Sequence, residues 1–291
     1  MKIGSTTNYF MSKFGDVRGL EILAEAGFDA LDYGLFKYPM EGPLFCGSEE
    51  DFVAYFTSIK AECDRLGLEV GQLHSPMPSY TGDEERDERI FQAQEKSIHA
   101  AALLGSRYII IHPCIPRRYR YTAYRAETKE INMRFYGRLA PSLEKYGVKL
   151  CLENMFNYDP ELRSICPTVC TTSWEMKDYF KTLAAPELFA YCLDIGHANL
   201  TGDTPEHMIY DLGEHLETLH VHDNNGLKDQ HTCPYHGTIN WPGVMKALRE
   251  VGYKGVFNFE ADDYYRIYDR AIPEESAKFL CRMGHFLTEK L

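Results

Sequence analysis

The feature that most constrains this chain is an unbroken alternation of two hydrophobic periods. Short apolar runs at 2–7, 28–33, 68–74, 108–112, 148–153, 189–194, 218–222 and 256–260 read as strands. Amphipathic stretches at 17–26, 49–66, 84–104, 126–146, 173–182, 205–212, 241–251 and 274–288 read as helices. Strand–helix alternation implies a parallel sheet. Eight units predict an α/β fold, the (β/α)8 TIM barrel, and 291 residues suit a barrel of ~250 residues with a few insertions. Residues 1–291 are read as one barrel domain. Gly27, Gly67, Gly105, Gly147 and Gly252 stand where five helices should stop and the chain turn back to the sheet. An open doubly wound sheet would carry a glycine-rich phosphate loop after an early strand, and the sequence has none. The long connections (34–48, 75–83, 113–125, 154–172 and 223–240) all follow strands, on the side where barrels build their sites.

Composition narrows the partners. A net charge of −12 argues against nucleic acid or an anionic membrane, both of which select a basic face. The nine cysteines are scattered without a CxxC pair, as expected for a reduced cytoplasmic protein with mostly buried thiols. No signal peptide is read at the N-terminus, and no apolar run approaches the ~18 residues of a membrane helix.

The strand ends carry the chemistry. The third to eighth strands finish on His74, His112, Glu153, Asp194, His220-Val221-His222 and Glu260. Side chains alternate along a strand. On the fifth, Leu150 and Leu152 share one face and Cys151 and Glu153 the other; on the eighth, Phe257 and Phe259 oppose Asn258 and Glu260. With the bulky set packed outward on the helices, Glu153, Asp194, His220 and Glu260 should converge at the top of the barrel axis. Three carboxylates so close would repel one another, and one divalent cation resolves the conflict through mixed carboxylate and imidazole ligation. A single strand-end acid or imidazole is usually a helix cap or a satisfied polar group; six consecutive strands ending this way are not.

Leu73-His74-Ser75-Pro76, Ile111-His112-Pro113, Leu152-Glu153-Asn154, Leu193-Asp194-Ile195-Gly196-His197, His220-Val221-His222-Asp223, Asp229-Gln230-His231, Gly237-Thr238-Ile239-Asn240-Trp241 and Phe259-Glu260 occur in this order. In that order the chain resembles, over essentially its whole length, the xylose-isomerase-like barrel superfamily of sugar isomerases and epimerases, which includes the type-IV apurinic endonucleases. The resemblance to ketose 3-epimerases implies one divalent ion (manganese, magnesium, cobalt or zinc) on Glu153, Asp194, His220 and Glu260, no organic cofactor, and substrate contact by His197. His74, His112 and His231 are further substrate-binding candidates. The resemblance to the endonucleases implies additional metal ligands at His74, His112, Asp229 and His231, within a nine-residue set completed by Glu153, Asp194, His197, His220 and Glu260. One departure is Pro234-Tyr235-His236-Gly237, where related sequences often show Pro-Gly-x-Gly.

Epimerising or isomerising a sugar removes a proton from carbon next to a carbonyl. Metal chelation of the carbonyl and a neighbouring hydroxyl would stabilise the enediolate, with Glu153 and Glu260 as catalytic base and acid. The expected activity is therefore metal-dependent isomerisation or epimerisation of a sugar or sugar phosphate. The alternatives are a dehydratase acting on a sugar- or inositol-derived ketone, a zinc phosphodiesterase of the abasic-site type, and a non-catalytic sugar-binding barrel. Self-association as a homo-oligomer is common among such barrels. The basic stretch 116–125 reads as a subunit contact or solvated loop, or as a clamp for a substrate anion. Asn8, Tyr9 and Phe10 suit either a wall for the sugar chain or ordinary core. Cys166 and Cys170 read as loop packing, His99, His207 and His215 as surface residues, and His222 as an alternative ligand or a support for the ligands.

Overall fold

The computed structural model describes residues 1–116, 121–269 and 272–290. Eight parallel strands form the barrel: β1 (Ile3–Thr6), β2 (Ala30–Gly34), β3 (Glu69–His74), β4 (Tyr108–Ile110), β5 (Lys149–Glu153), β8 (Phe189–Asp194), β9 (Leu216–His220) and β10 (Phe257–Phe259). An antiparallel hairpin, β6 (Phe156–Asp159) with β7 (Ser164–Pro167), follows β5. The hydrogen-bonded order runs β10-β1-β2-β3-β4-β5-β8-β9. The remaining seam is joined where the Val221 amide donates to the Asn258 carbonyl (2.8 Å) and the Glu260 amide to the Val221 carbonyl (3.1 Å). The TIM barrel expected from the alternation is the observed fold.

The eight expected outer helices are present, among them Glu49–Leu66, Ser173–Leu183 and Pro205–Leu212. Their starts are set by side-chain caps: Ser48, Asp83, Thr172 and Thr204 each accept a hydrogen bond from the amide three residues on. Gly27 and Gly67 terminate two of them in the left-handed region, φ 97° and 72°, where a Cβ would clash with the backbone. The helix expected at 126–146 starts earlier and spans Tyr121–Tyr146. Strand–helix alternation is not strict, because short helices Asn8–Phe14, Pro43–Cys46, Ile195–Thr201 and Asp262–Ile267 also lie on the strand-to-helix connections.

The pleat sorts side chains as expected. Leu150, Leu152, Leu193, Leu219, Phe257 and Phe259 belong to the large core between sheet and helices. Ile110, Cys151, Ala190 and Cys192 form a separate small cluster that fills the barrel interior beneath the site. Tyr9 and Phe10 are buried on the helix Asn8–Phe14, packed with Tyr265, so they are core. The nine cysteines are free thiols, and Cys46 is the exposed one. No described helix is long and apolar enough to cross a membrane. His207 is exposed, but His99 stacks on Tyr146 (4.4 Å) and His215 packs on Phe180, so neither is a plain surface residue. Of the basic stretch, Arg117, Arg118, Tyr119 and Arg120 lie outside the described residues. Arg125 faces the helix Ser173–Leu183, 3.4 Å from Glu175 and over the Trp174 ring.

Candidate metal centre

The C-terminal ends of the strands bring Glu153, Asp194, His220 and Glu260 together. One ligand-type atom from each lies within 4.8 Å of all the others. His220 Nδ1 is 2.8 Å from Glu153 Oε1, 3.3 Å from Glu260 Oε2 and 4.0 Å from Asp194 Oδ2. Glu153, Asp194 and His220 are buried, whereas Glu260 is partly exposed at the mouth.

Local sequence fixes these orientations. Asp194 Oδ1 accepts the His197 amide (2.7 Å), capping the helix Ile195–Thr201 and turning Oδ2 toward the axis. Asn154 stitches the two strand ends: its Oδ1 accepts the Asp194 amide (2.7 Å) and its Nδ2 donates to the Asp194 carbonyl (2.9 Å). His74, His197 and His231 donate Nδ1–H to the carbonyls of Ser75 (3.0 Å), Asn154 (2.9 Å) and Glu260 (2.7 Å). A carbonyl only accepts, so each of these imidazoles presents Nε2 to the site.

Two further groups adjoin the first. His74, Glu153 and His220 form one, with His112 Nε2 3.1 Å from Glu153 Oε2. The second is His197, His222, Asp229 and His231. His231 Nε2 is 2.8 Å from Asp229 Oδ2, and the His222 and His231 rings stack 4.0 Å apart. His222 Nε2 is also 3.0 Å from Asp194 Oδ1, so this ring links the two acidic centres. The four residues named as further substrate or metal candidates therefore divide: His74 and His112 flank Glu153, and Asp229 and His231 lie with His197 and His222. Gly196 makes room for His222, because a Cβ there would fall on the His222 ring. Gly196→Ala should displace that ring and lower stability by about 1–3 kcal/mol, measured by thermal melting; an unchanged melt would show the ring is not confined.

The electrostatics are those of a buried acid–imidazole cluster. Burial pushes Glu153 up, but His220 and His112 outweigh it and hold the carboxyl well below its ordinary value. Asp194 is lowered in the same way by His197 and His222. Burial opposes charge on His220, yet Cys192, Glu260 and Glu153 raise it well above the usual imidazole value. Glu153 Oε2, Asp229 Oδ1 and His222 Nδ1 are buried and find no hydrogen-bond partner among the described residues. Unsatisfied lone pairs inside a ring of acids and imidazoles suit a divalent cation, and the mixed O/N donor set fits manganese, cobalt or zinc.

Sequence reasoning assigned no role to Asp32, Gln72, Asn258 or Asp223. Asp32 Oδ2 lies 3.1 Å from His220 Nε2 and accepts from Gln72 (3.0 Å) and Asn258 (3.3 Å). Asp223 fixes the 223–241 loop by accepting from the Tyr235 amide (2.9 Å) and the Trp241 indole (2.9 Å). Tyr235, at the divergent Pro-Tyr-His-Gly segment, has φ 70°, the left-handed region where glycine is favoured. That strain was implicit in the departure from Pro-Gly-x-Gly.

A parallel barrel with buried acids and imidazoles gathered at its C-terminal face defines a class of metal-ready α/β barrels. The chain belongs to the xylose isomerase-like TIM-barrel family, whose signature matches residues 20–283. It is 27% identical over 267 residues to the uncharacterised protein MJ1311 of Methanocaldococcus jannaschii, covering 89% of this chain and 83% of that one. A D-tagatose 3-epimerase-like protein superposes with TM-score 0.74 at 23% identity, covering 100% of this chain and 99% of the other. The IolI protein, solved with a bound zinc atom, superposes with TM-score 0.72 at 18% identity, covering 100% and 99%.

Proposed function

We propose that the chain, as one barrel domain, is a divalent-metal-dependent isomerase or epimerase acting on a ketose or its phosphate. The observation that carries this reading is the convergence of Glu153, Asp194, His220 and Glu260 within 4.8 Å of one another. The fold likeness to a D-tagatose 3-epimerase-like protein points to a ketose, and the zinc bound by IolI supports a metal-binding barrel.

Glu153, Asp194, His220 and Glu260 would hold the cation. Bound there, it would supply stabilisation of negative charge on the substrate oxygens. Glu153 and Glu260 come from β5 and the end of β10, with β8 and β9 between them around the barrel. They therefore address the substrate from different directions, as removal of a proton on one face and its return on the other require. Glu153 Oε2, buried and free of a hydrogen-bond donor of good geometry, is the basic oxygen. Glu260, at the mouth, would start as the carboxylic acid and deliver its own proton from the other side, ending as carboxylate while Glu153 keeps the proton it removed. His197 Nε2, its Nδ1–H committed to Asn154, orients a substrate oxygen. His74 and His112, beside Glu153, and His231, in the second group, would be further substrate contacts.

The test is solvent exchange. The manganese-, cobalt- or zinc-loaded protein is incubated in D2O with a panel of free and phosphorylated ketoses and read by NMR. Deuterium entering a single carbon next to the carbonyl is the expected result; no incorporation into any member of the panel defeats the reading. The group His197, His222, Asp229 and His231 favours a second reading, phosphodiester hydrolysis with additional zinc ions. Three zincs per chain and cleavage of abasic DNA would support it, although the net charge of −12 opposes a DNA substrate.

A further inference from the structure

We propose that Asp32 is a positioning residue that selects which nitrogen of His220 faces the candidate metal centre; this rests on the metal-centre reading above. Asp32 lies on β2 and is buried, and its Oδ2 gathers three neighbours: His220 Nε2 at 3.1 Å, Gln72 Nε2 at 3.0 Å and Asn258 Nδ2 at 3.3 Å. Gln72 is itself held by the Leu219 carbonyl (3.3 Å), next to His220 in the chain. Asp32 Oδ1 finds no hydrogen-bond partner among the described residues. A buried carboxylate with one oxygen unpartnered is expensive to keep for scaffolding alone.

Its chemistry explains its place. A neutral imidazole carries one N–H and one lone pair. The Asp32 carboxylate accepts Nε2–H, so Nδ1, which faces Glu153, Glu260 and Asp194, is the nitrogen that gives up its proton and offers a lone pair when a cation binds. His74, His197 and His231 work the other way round, with Nδ1–H on backbone carbonyls and Nε2 inward. His220 stands on the strand itself and reaches the centre only through Nδ1, so it needs an acceptor behind Nε2. A carboxylate there also makes the ring a stronger donor to a cation.

The experiment compares the full-length wild type with Asp32→Asn. Zinc affinity is measured by chelator competition and folding by circular dichroism. Asp32→Asn should weaken zinc binding by about 10–100-fold while the metal-free spectrum is unchanged. Equal affinity in a folded variant overturns the proposal and leaves the metal centre intact, whereas a wild type that binds no zinc overturns both. A second measurement needs no variant. In the zinc-loaded wild type, long-range 1H–15N NMR should show His220 with its proton on Nε2; a proton on Nδ1 overturns the assignment. Gln72→Leu, which leaves the Asp32–His220 contact in place, should lose less affinity than Asp32→Asn; an equal loss would mean the cluster acts only as packing.

Discussion

Glu153→Gln should lower the rate of solvent-deuterium incorporation by about 10²–10⁴-fold, the range that a positioned general base supplies. The amide matches the carboxylate in size but cannot take a proton. The effect should be large because the site offers no ready substitute. Glu153 Oε1 is engaged with His220 Nδ1 at 2.8 Å, and Oε2 stands 3.1 Å from His112 Nε2 and 3.7 Å from His74 Nε2 without a hydrogen bond of good geometry. Of the two imidazoles beside Oε2, His112 is the nearer, and burial lowers it below the usual imidazole value. Metal content per chain must be measured beside the rate, because the same carboxylate is a candidate ligand. A near-normal rate with the cation retained would remove Glu153 as the base; a slow rate with the cation lost would make it a ligand first.

The parts of the site legible in the sequence are those that depend only on strand alternation. Glu153 shares a face with Cys151, and Cys151 lies in the small interior cluster, so the parity of the pleat was enough to aim the carboxylate inward. Asp194 and His220 followed by the same count. Asp32 escaped because its meaning is relational. Alone in the strand Ala30–Gly34 it looks like any strand-end acid, and its partner His220 is 188 residues away. The seventh strand was expected at 218–222 but pairs over Leu216–His220, since a register shift between Tyr191 and Cys192 admits Leu216 to the ladder. Val221 instead makes the bridge to Phe259 that joins the barrel seam, and His222 lies in the second group while also standing 3.0 Å from Asp194 Oδ1. The hairpin Phe156–Pro167 was hidden for a different reason. Asp159 accepts from the Glu161 and Leu162 amides and builds a turn inside a segment with no apolar alternation. It nonetheless brings Phe156 against the His197 ring (4.8 Å), so the wall of the site depends on an element without a hydrophobic period.

Removing divalent cations with a chelator should lower the melting temperature, and the difference should widen as pH rises from about 6 to 8. At 100–1,000 times its dissociation constant a cation that binds only the folded state stabilises it by about 2.7–4.1 kcal/mol. At about 2–4 °C per kcal/mol for chains of this order of size, that is a shift of roughly 5–15 °C. The pH dependence follows from two opposed linkages. In the metal-free protein His220 and His231 are raised well above the usual imidazole value, against burial, by neighbouring acids that include Glu260. Their contribution is fully present below the unfolded imidazole value of about 6.5 and is lost as pH climbs through the raised folded value. Glu153 and Asp194 are lowered, so their contribution is present above the unfolded carboxyl range and is lost as pH falls through the folded values. The metal-free protein should therefore be most stable on the acid side of neutrality. A cation must displace the imidazole protons, so its affinity grows over the interval in which the metal-free protein weakens. Melts with and without chelator at several pH values measure both trends. A chelator-independent melting temperature throughout would mean that the acids and imidazoles at the barrel mouth satisfy one another without a metal.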